Sequence, residues 1–151
     1  MISRSLLLIV FFVSSNLLAQ RQQKINSLES ELSKVDNSLE KADILNELWI
    51  ENINNDIDKA IDYSNQIIKL GNALKIDTIL SLGFEKKATA YAYMDKFDSS
   101  GVYFRKALKI YDESNDFQGK ADVLRNLGQD LNMMNNLDRA FYYYDQSGKY
   151  Y

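Results

Sequence analysis

A chain of 151 residues, 46% of them hydrophobic, is long enough for one domain with a real core. Its 18 basic and 21 acidic residues give a formal charge of −3 and are interspersed without a lysine or arginine cluster, which argues against nucleic acid or anionic lipid as a partner. With no cysteine and no histidine it lacks thiolate nucleophiles, disulfides, and the side chain most used for proton transfer and metal ligation, so neither catalysis, a cofactor nor a metal is expected.

The N-terminus reads as a removable leader. Met1 to Arg4 carry one positive charge, Leu6 to Val13 form a short apolar run, and Ser14 to Gln20 are a polar segment with Ala19 near its end. These are the three parts of a secretory signal peptide over residues 1–19, with cleavage expected near Ala19. The run is too short to span a bilayer, and no cysteine follows for a lipid anchor. The mature chain is therefore expected in the periplasm or outside the cell.

From Gln22 onward apolar residues recur at helical spacing, and the chain contains no proline to interrupt a helix. Short polar residues punctuate the pattern at Asp36-Asn37-Ser38, Asn54-Asn55-Asp56, Ile76-Asp77, Asp95-Lys96, Ser114-Asn115-Asp116 and Asn135-Asn136, and such side chains accept bonds from the free amides of a helix start. Asn37 and Glu40 have the offset of a capping box. The spacing predicts helices over 22–35, 38–53, 57–75, 78–94, 98–113, 117–134 and 137–150, and no strand. Ile25, Leu28, Leu32, Val35, Leu39 and Ala42 also fit three heptads of a coiled coil, but the break at Asp36-Asn37-Ser38 favours a single leading helix, which with its break makes up residues 20–37 and packs on the first repeat.

Adding 40 twice to a position repeatedly returns a like residue. Asn55, Asp95 and Asn135 align, as do Ile57, Phe97 and Leu137; Asp58, Asp98 and Asp138; Ala60, Ser100 and Ala140; Tyr63, Tyr103 and Tyr143; and Lys69, Lys109 and Lys149. This marks three copies of one helical hairpin across residues 38–151. Two antiparallel helices approach closely only where a small residue leaves room, the role given to Ala60, Ser100, Ala140, Ala88, Gly128 and Ala107. Phe84, Tyr91, Phe104, Leu124, Leu127, Leu131 and Tyr144 supply the interlocking bulk. The glycines are otherwise scattered singly and form no phosphate-cradling loop.

These residues resemble the tetratricopeptide repeats. Leu124, Leu127, Gly128 and Leu131, then Ala140 and Tyr144, stand at the family's Trp, Leu, Gly, Tyr, Ala and Phe positions, and Phe84, Ala88, Tyr91, Ser100, Phe104 and Ala107 match in the second copy. Lys87 stands where a leucine is expected, and its stem is expected to pack while its ammonium reaches water. Leu45, Leu48 and Ala60 of the first copy fit only with a turn one residue shorter. The period of 40 exceeds the family's usual length of about 34 and is similar to its long-helix variants. The resemblance implies an all-α fold of antiparallel hairpins stacked as a right-handed superhelix.

It also implies a scaffold that binds a protein or peptide in a groove lined by the first helix of each hairpin. The family's groove positions fall on Asn46 and Ile50; on Glu85, Thr89, Ala92 and Tyr93; and on Arg125, Gln129, Asn132 and Met133, of which Arg125, Asn132, Tyr93 and Met133 are the preferred contacts. An export signal followed by long proline-free hairpins further resembles the extracytoplasmic input region of Bacteroidetes-type membrane-bound sensor kinases and regulators. That alternative reading is sensory, with output domains missing from this chain. The third hairpin carries Phe141, Tyr144, Tyr150 and Tyr151 with no polar capping helix after it, so either self-association through this end or a longer natural form that supplies the missing helix is expected.

Overall fold

The proline-free stretches of helical period form helices in the computed structural model, which describes the backbone of residues 4–36 and 38–150 and the side chains of residues 16–36 and 38–150. In chain order they are α1 (Arg4–Leu32), α2 (Leu39–Asn52), α3 (Ile57–Leu74), α4 (Asp77–Tyr93), α5 (Phe97–Ser114), α6 (Phe117–Met133) and α7 (Leu137–Gly148), with no strand among the described residues. Short polar residues start three of them. The Ser38 hydroxyl accepts from Lys41 N at 3.3 Å, Asp56 Oδ1 from Lys59 N at 3.1 Å, and Asp116 Oδ1 from Gly119 N at 2.9 Å, each satisfying an amide the helix leaves free. The Asn37 half of the expected capping box lies outside the described residues; the cap observed for α2 is Ser38.

The leading helix is longer than its sequence pattern predicts. Instead of starting near residue 22, α1 runs without a break from Arg4 to Leu32. Serine and asparagine at 14–16 are weak helix formers but not breakers, so this polar segment does not end the helix. The first three residues of the expected leader, and the side chains of its apolar run, lie outside the described residues. No described helix is long and apolar enough to cross a membrane. The C-terminal half of α1 packs on the first hairpin: Ile25 and Leu28 are buried beside Leu45, Leu48 and Trp49, each such apolar side chain contributing roughly 1.5–3 kcal/mol by leaving water. Lys24 adds ion pairs to Glu51 at 2.8 Å and Glu47 at 3.4 Å. Half-exposed pairs of this kind contribute less than about 1 kcal/mol, so the apolar contacts dominate. The Tyr63 hydroxyl donates to Glu29 Oε1 at 3.0 Å, tying α3 to α1, and burial together with that carboxylate pushes its pKa up to about 12.

Each helix packs on the next in the chain, and α2 also touches α4, so neighbouring hairpins stack as in a helical repeat. The corners repeat with the helices. Lys75, Asp95, Asn115 and Asn135 adopt left-handed backbone, with φ of 57°, 56°, 56° and 58°. Asn and Asp tolerate this conformation because their short side chains bond locally. Asn55 is not among these residues, and its corner differs: Asn55 N and Asp56 N both donate to Asn52 O. The first copy thus departs from the register of the others, but its turn, residues 53–56, is one residue longer than 94–96 and 134–136 rather than one shorter.

The core divides into two clusters. One spans α1 to α4 and includes Leu45, Leu48, Ile67 and Ala90; the other joins α4, α5 and α6 through Ala88, Phe104, Ala107, Tyr111, Val123 and Leu127. Small residues set the approaches between helices. A methyl on Gly128 would lie 2.8 Å from the Tyr144 ring and 3.2 Å from Ala140 O, which puts Gly128 at the α6–α7 crossing. Gly71 and Gly83, isolated glycines in the sequence, face the backbone of the neighbouring hairpin. A methyl on Gly71 would lie 2.6 Å from Leu80 N, and one on Gly83 would lie 2.8 Å from Ile68 N. At the corresponding α5–α6 junction the arrangement is reversed, with Tyr111 pressed against Gly119, where a methyl would be 2.5 Å from the ring.

Candidate functional site

The first helices of the second and third hairpins, α4 and α6, carry the expected groove positions, and between them lies a hollow of about 190 Å³. Thr89, Ala92 and Tyr93 from α4, and Gln129 and Met133 from α6, line it. Helical geometry explains the grouping, because residues three and four apart share a face, and 89, 92 and 93 or 129 and 133 have that spacing. Tyr93 is 59% exposed and Met133 64% exposed, so two large apolar side chains stand open at the rim. Phe97 and the buried Phe104 from α5 complete the apolar wall.

The remaining expected positions do not join this hollow. Glu85 is directed to the neighbouring helix, where it accepts a bond from the Tyr111 hydroxyl at 3.1 Å. Burial raises the pKa of Glu85, against the opposing effect of that bond, and burial likewise raises Tyr111. The pair braces α4 against α5. Arg125 is exposed and bonded to Asp122 at 3.1 Å on its own helix, and Asn132 is exposed one residue from the hollow. In the first hairpin Ile50 is half exposed, and the Asn46 Oδ1 is buried without a hydrogen bond among the described residues. Neither reaches the hollow between α4 and α6. Lys87 behaves as its amphipathic stem predicts, donating to Asn65 Oδ1 at 2.6 Å with its ammonium 4.6 Å from the Tyr103 ring.

Sequence reasoning missed Asp95, Asn126 and Asp130, which also line the hollow. Asp130 is 7% exposed, and the Ser100 hydroxyl donates to its Oδ2 at 2.5 Å, its one hydrogen bond among the described residues. A signal for it existed. Asp130 follows Leu127 by three residues and Val123 by seven, on the stripe where helical period demands an apolar side chain. Forty residues earlier, the equivalents of Ser100 and Asp130 are Ala60 and Ala90, both fully buried, so the packing of this junction does not require a polar pair.

Desolvation raises the Asp130 pKa, and the Ser100 bond only partly offsets it. Below the ordinary aspartate range the folded and unfolded chains are both protonated here and nothing is lost. As pH rises through that range toward the raised folded value, ionisation becomes harder in the folded state and stability falls. Asp130→Asn is therefore expected to melt a few degrees higher than the parent at neutral pH, with the gain vanishing in acid. Thermal melts followed by circular dichroism across that interval check it; an unchanged or lower melting temperature at neutral pH would remove the desolvation argument.

Among the described residues no group of acidic side chains is arranged to hold a metal ion. No family model, curated protein or solved structure matches the chain.

Proposed function

We propose that the chain is a tetratricopeptide-type scaffold that binds an extended segment of a protein partner across α4 and α6. One observation carries the reading: five of the ten positions expected to contact a partner, Thr89, Ala92, Tyr93, Gln129 and Met133, line a single open hollow. Apolar walls with polar groups at the edge suit an extended peptide, whose side chains enter hollows while amides and carbonyls bond polar side chains such as Gln129 and Asn126. The exposed Tyr93 and Met133 gain by being covered, since burying a large apolar side chain yields roughly 1.5–3 kcal/mol.

The test is selection of linear peptides from a randomised phage-displayed library on the folded chain, followed by affinity measurement on Tyr93→Ala/Met133→Ala. Both side chains are exposed, so the double variant is expected to keep the parent's melting temperature. Its affinity for selected peptides is expected to fall at least about tenfold. Peptides that bind the double variant as well as the parent would show that the partner surface lies elsewhere.

A further inference from the structure

We propose that the hollow between α4 and α6 receives a lysine or arginine side chain of the bound peptide, with Asp130 as its counter-ion at the base. This rests on the groove reading above and names the chemistry of its ligand. The lining carries two carboxylates, Asp95 and Asp130, and no basic side chain. It also includes the aromatic side chains Tyr93, Phe97 and Phe104, of which Tyr93 stands exposed, and carboxylates with aromatic walls are the combination that accommodates an ammonium or guanidinium on an apolar stem. At about 30 Å³ per water in the liquid, a space of about 190 Å³ suits a long side chain better than one trapped solvent molecule.

Asp130 supplies the argument that a mere acidic surface would not. It is nine-tenths buried, and Ser100 occupies only its Oδ2, leaving Oδ1 without a hydrogen-bond partner among the described residues. The equivalent junction one repeat earlier is closed by Ala60 and Ala90, so the fold does without a carboxylate at this place. Oδ1 is not among the buried side-chain atoms that lack a partner, so it reaches solvent where Asp130 lines the hollow, and a cation arriving there can replace that water. A neighbouring hollow shares Asp130 and is lined by Arg105 and Arg139, yet neither arginine forms an ion pair with Asp130 among the described residues. Asp130 is therefore not already neutralised from that side.

The experiment uses the same randomised peptide library, selected in parallel on the parent chain and on Asp130→Asn. Folding is not at issue for this variant, since an uncharged residue is favoured at a buried position. Asp95→Asn serves as a second variant, because Asn135 occupies the equivalent left-handed corner. Peptides selected on the parent are expected to share a lysine or arginine at one position. Replacing that residue by methionine, or Asp130 by asparagine, is expected to lower affinity at least about tenfold, and the two changes together no further than either alone. Selected peptides without a common basic residue, or with equal affinity for Asp130→Asn, overturn the inference while leaving the groove reading intact if Tyr93→Ala/Met133→Ala still weakens them. A library yielding no binder overturns both.

Discussion

Ala107→Glu is expected to unfold the C-terminal hairpins or destabilise the chain by about 4 kcal/mol or more. Ala107 is fully buried, packed among Ala88, Phe104, Tyr111, Val123 and Leu127. A glutamate there has too little room for its stem, and its cluster neighbours offer no cation to pair with its carboxylate. The group must either stay charged in an apolar surrounding or take up a proton, and both are unfavourable. Ala107→Ser is the matched control, since Ser147 occupies the equivalent place in the third copy and is buried there, its hydroxyl donating to Ala121 O at 2.8 Å. It should cost about 1 kcal/mol or less. Chemical denaturation of the three chains makes the comparison, and a glutamate variant within about 0.5 kcal/mol of the parent would contradict the burial of this position.

The second large effect is a change of sign between two glycines. In a helix, alanine is favoured over glycine by about 1 kcal/mol, and at Gly148, where an added methyl meets nothing within 4 Å, some of that gain should appear as stabilisation. At Gly71 the same methyl would lie 2.6 Å from Leu80 N and 2.8 Å from Leu80 Cα. Those are backbone atoms of α4 and cannot swing aside as a side chain would. Separating α3 from α4 loosens the junction between the first and second hairpins, and overpacking of this kind typically costs about 1–3 kcal/mol, which outweighs the helix preference. Gly71→Ala should therefore melt below the parent and Gly148→Ala at or above it. Equal melting temperatures would mean that the two hairpins are not held in close approach.

Much of this arrangement is legible in the residues themselves. The 57–75 and 117–134 helices of the spacing pattern correspond to α3 and α6 within a residue at each end, because period and polar punctuation agree there. The small-residue rule placed Ala60, Ser100, Ala140, Ala88 and Ala107 inside, and all are buried. The pairing of small with large was harder to read. Gly71 admits the α4 backbone at one junction, whereas Gly119 admits the Tyr111 ring at the next, so a search for like residues at a fixed spacing passes over both.

The site was half legible for a similar reason. Groove positions carried over by resemblance located the rim at Tyr93 and Met133, but the hollow is also lined by the half-buried Phe97 and by Phe104 and Asp130, which are buried in the interior of the hairpins. Asp130 is a polar exception on an apolar stripe, a signal found by asking where the repeat breaks its own pattern. Asn46 and Ile50 did not join the hollow because they stand on α2, in the first hairpin, whereas the hollow lies between α4 and α6 of the second and third.

The left-handed residues at 75, 95, 115 and 135 stand 20 apart, and the helices between them alternate 17, 18 and 17 residues long. This spacing governs which changes of length the chain tolerates. One residue inserted within a helix turns every later side chain of that helix by about 100°, carrying buried faces into water and polar faces into the core. Duplicating or excising the stretch between two equivalent corners leaves every face where it was. Such a chain can grow or shrink by whole hairpins far more readily than by single codons.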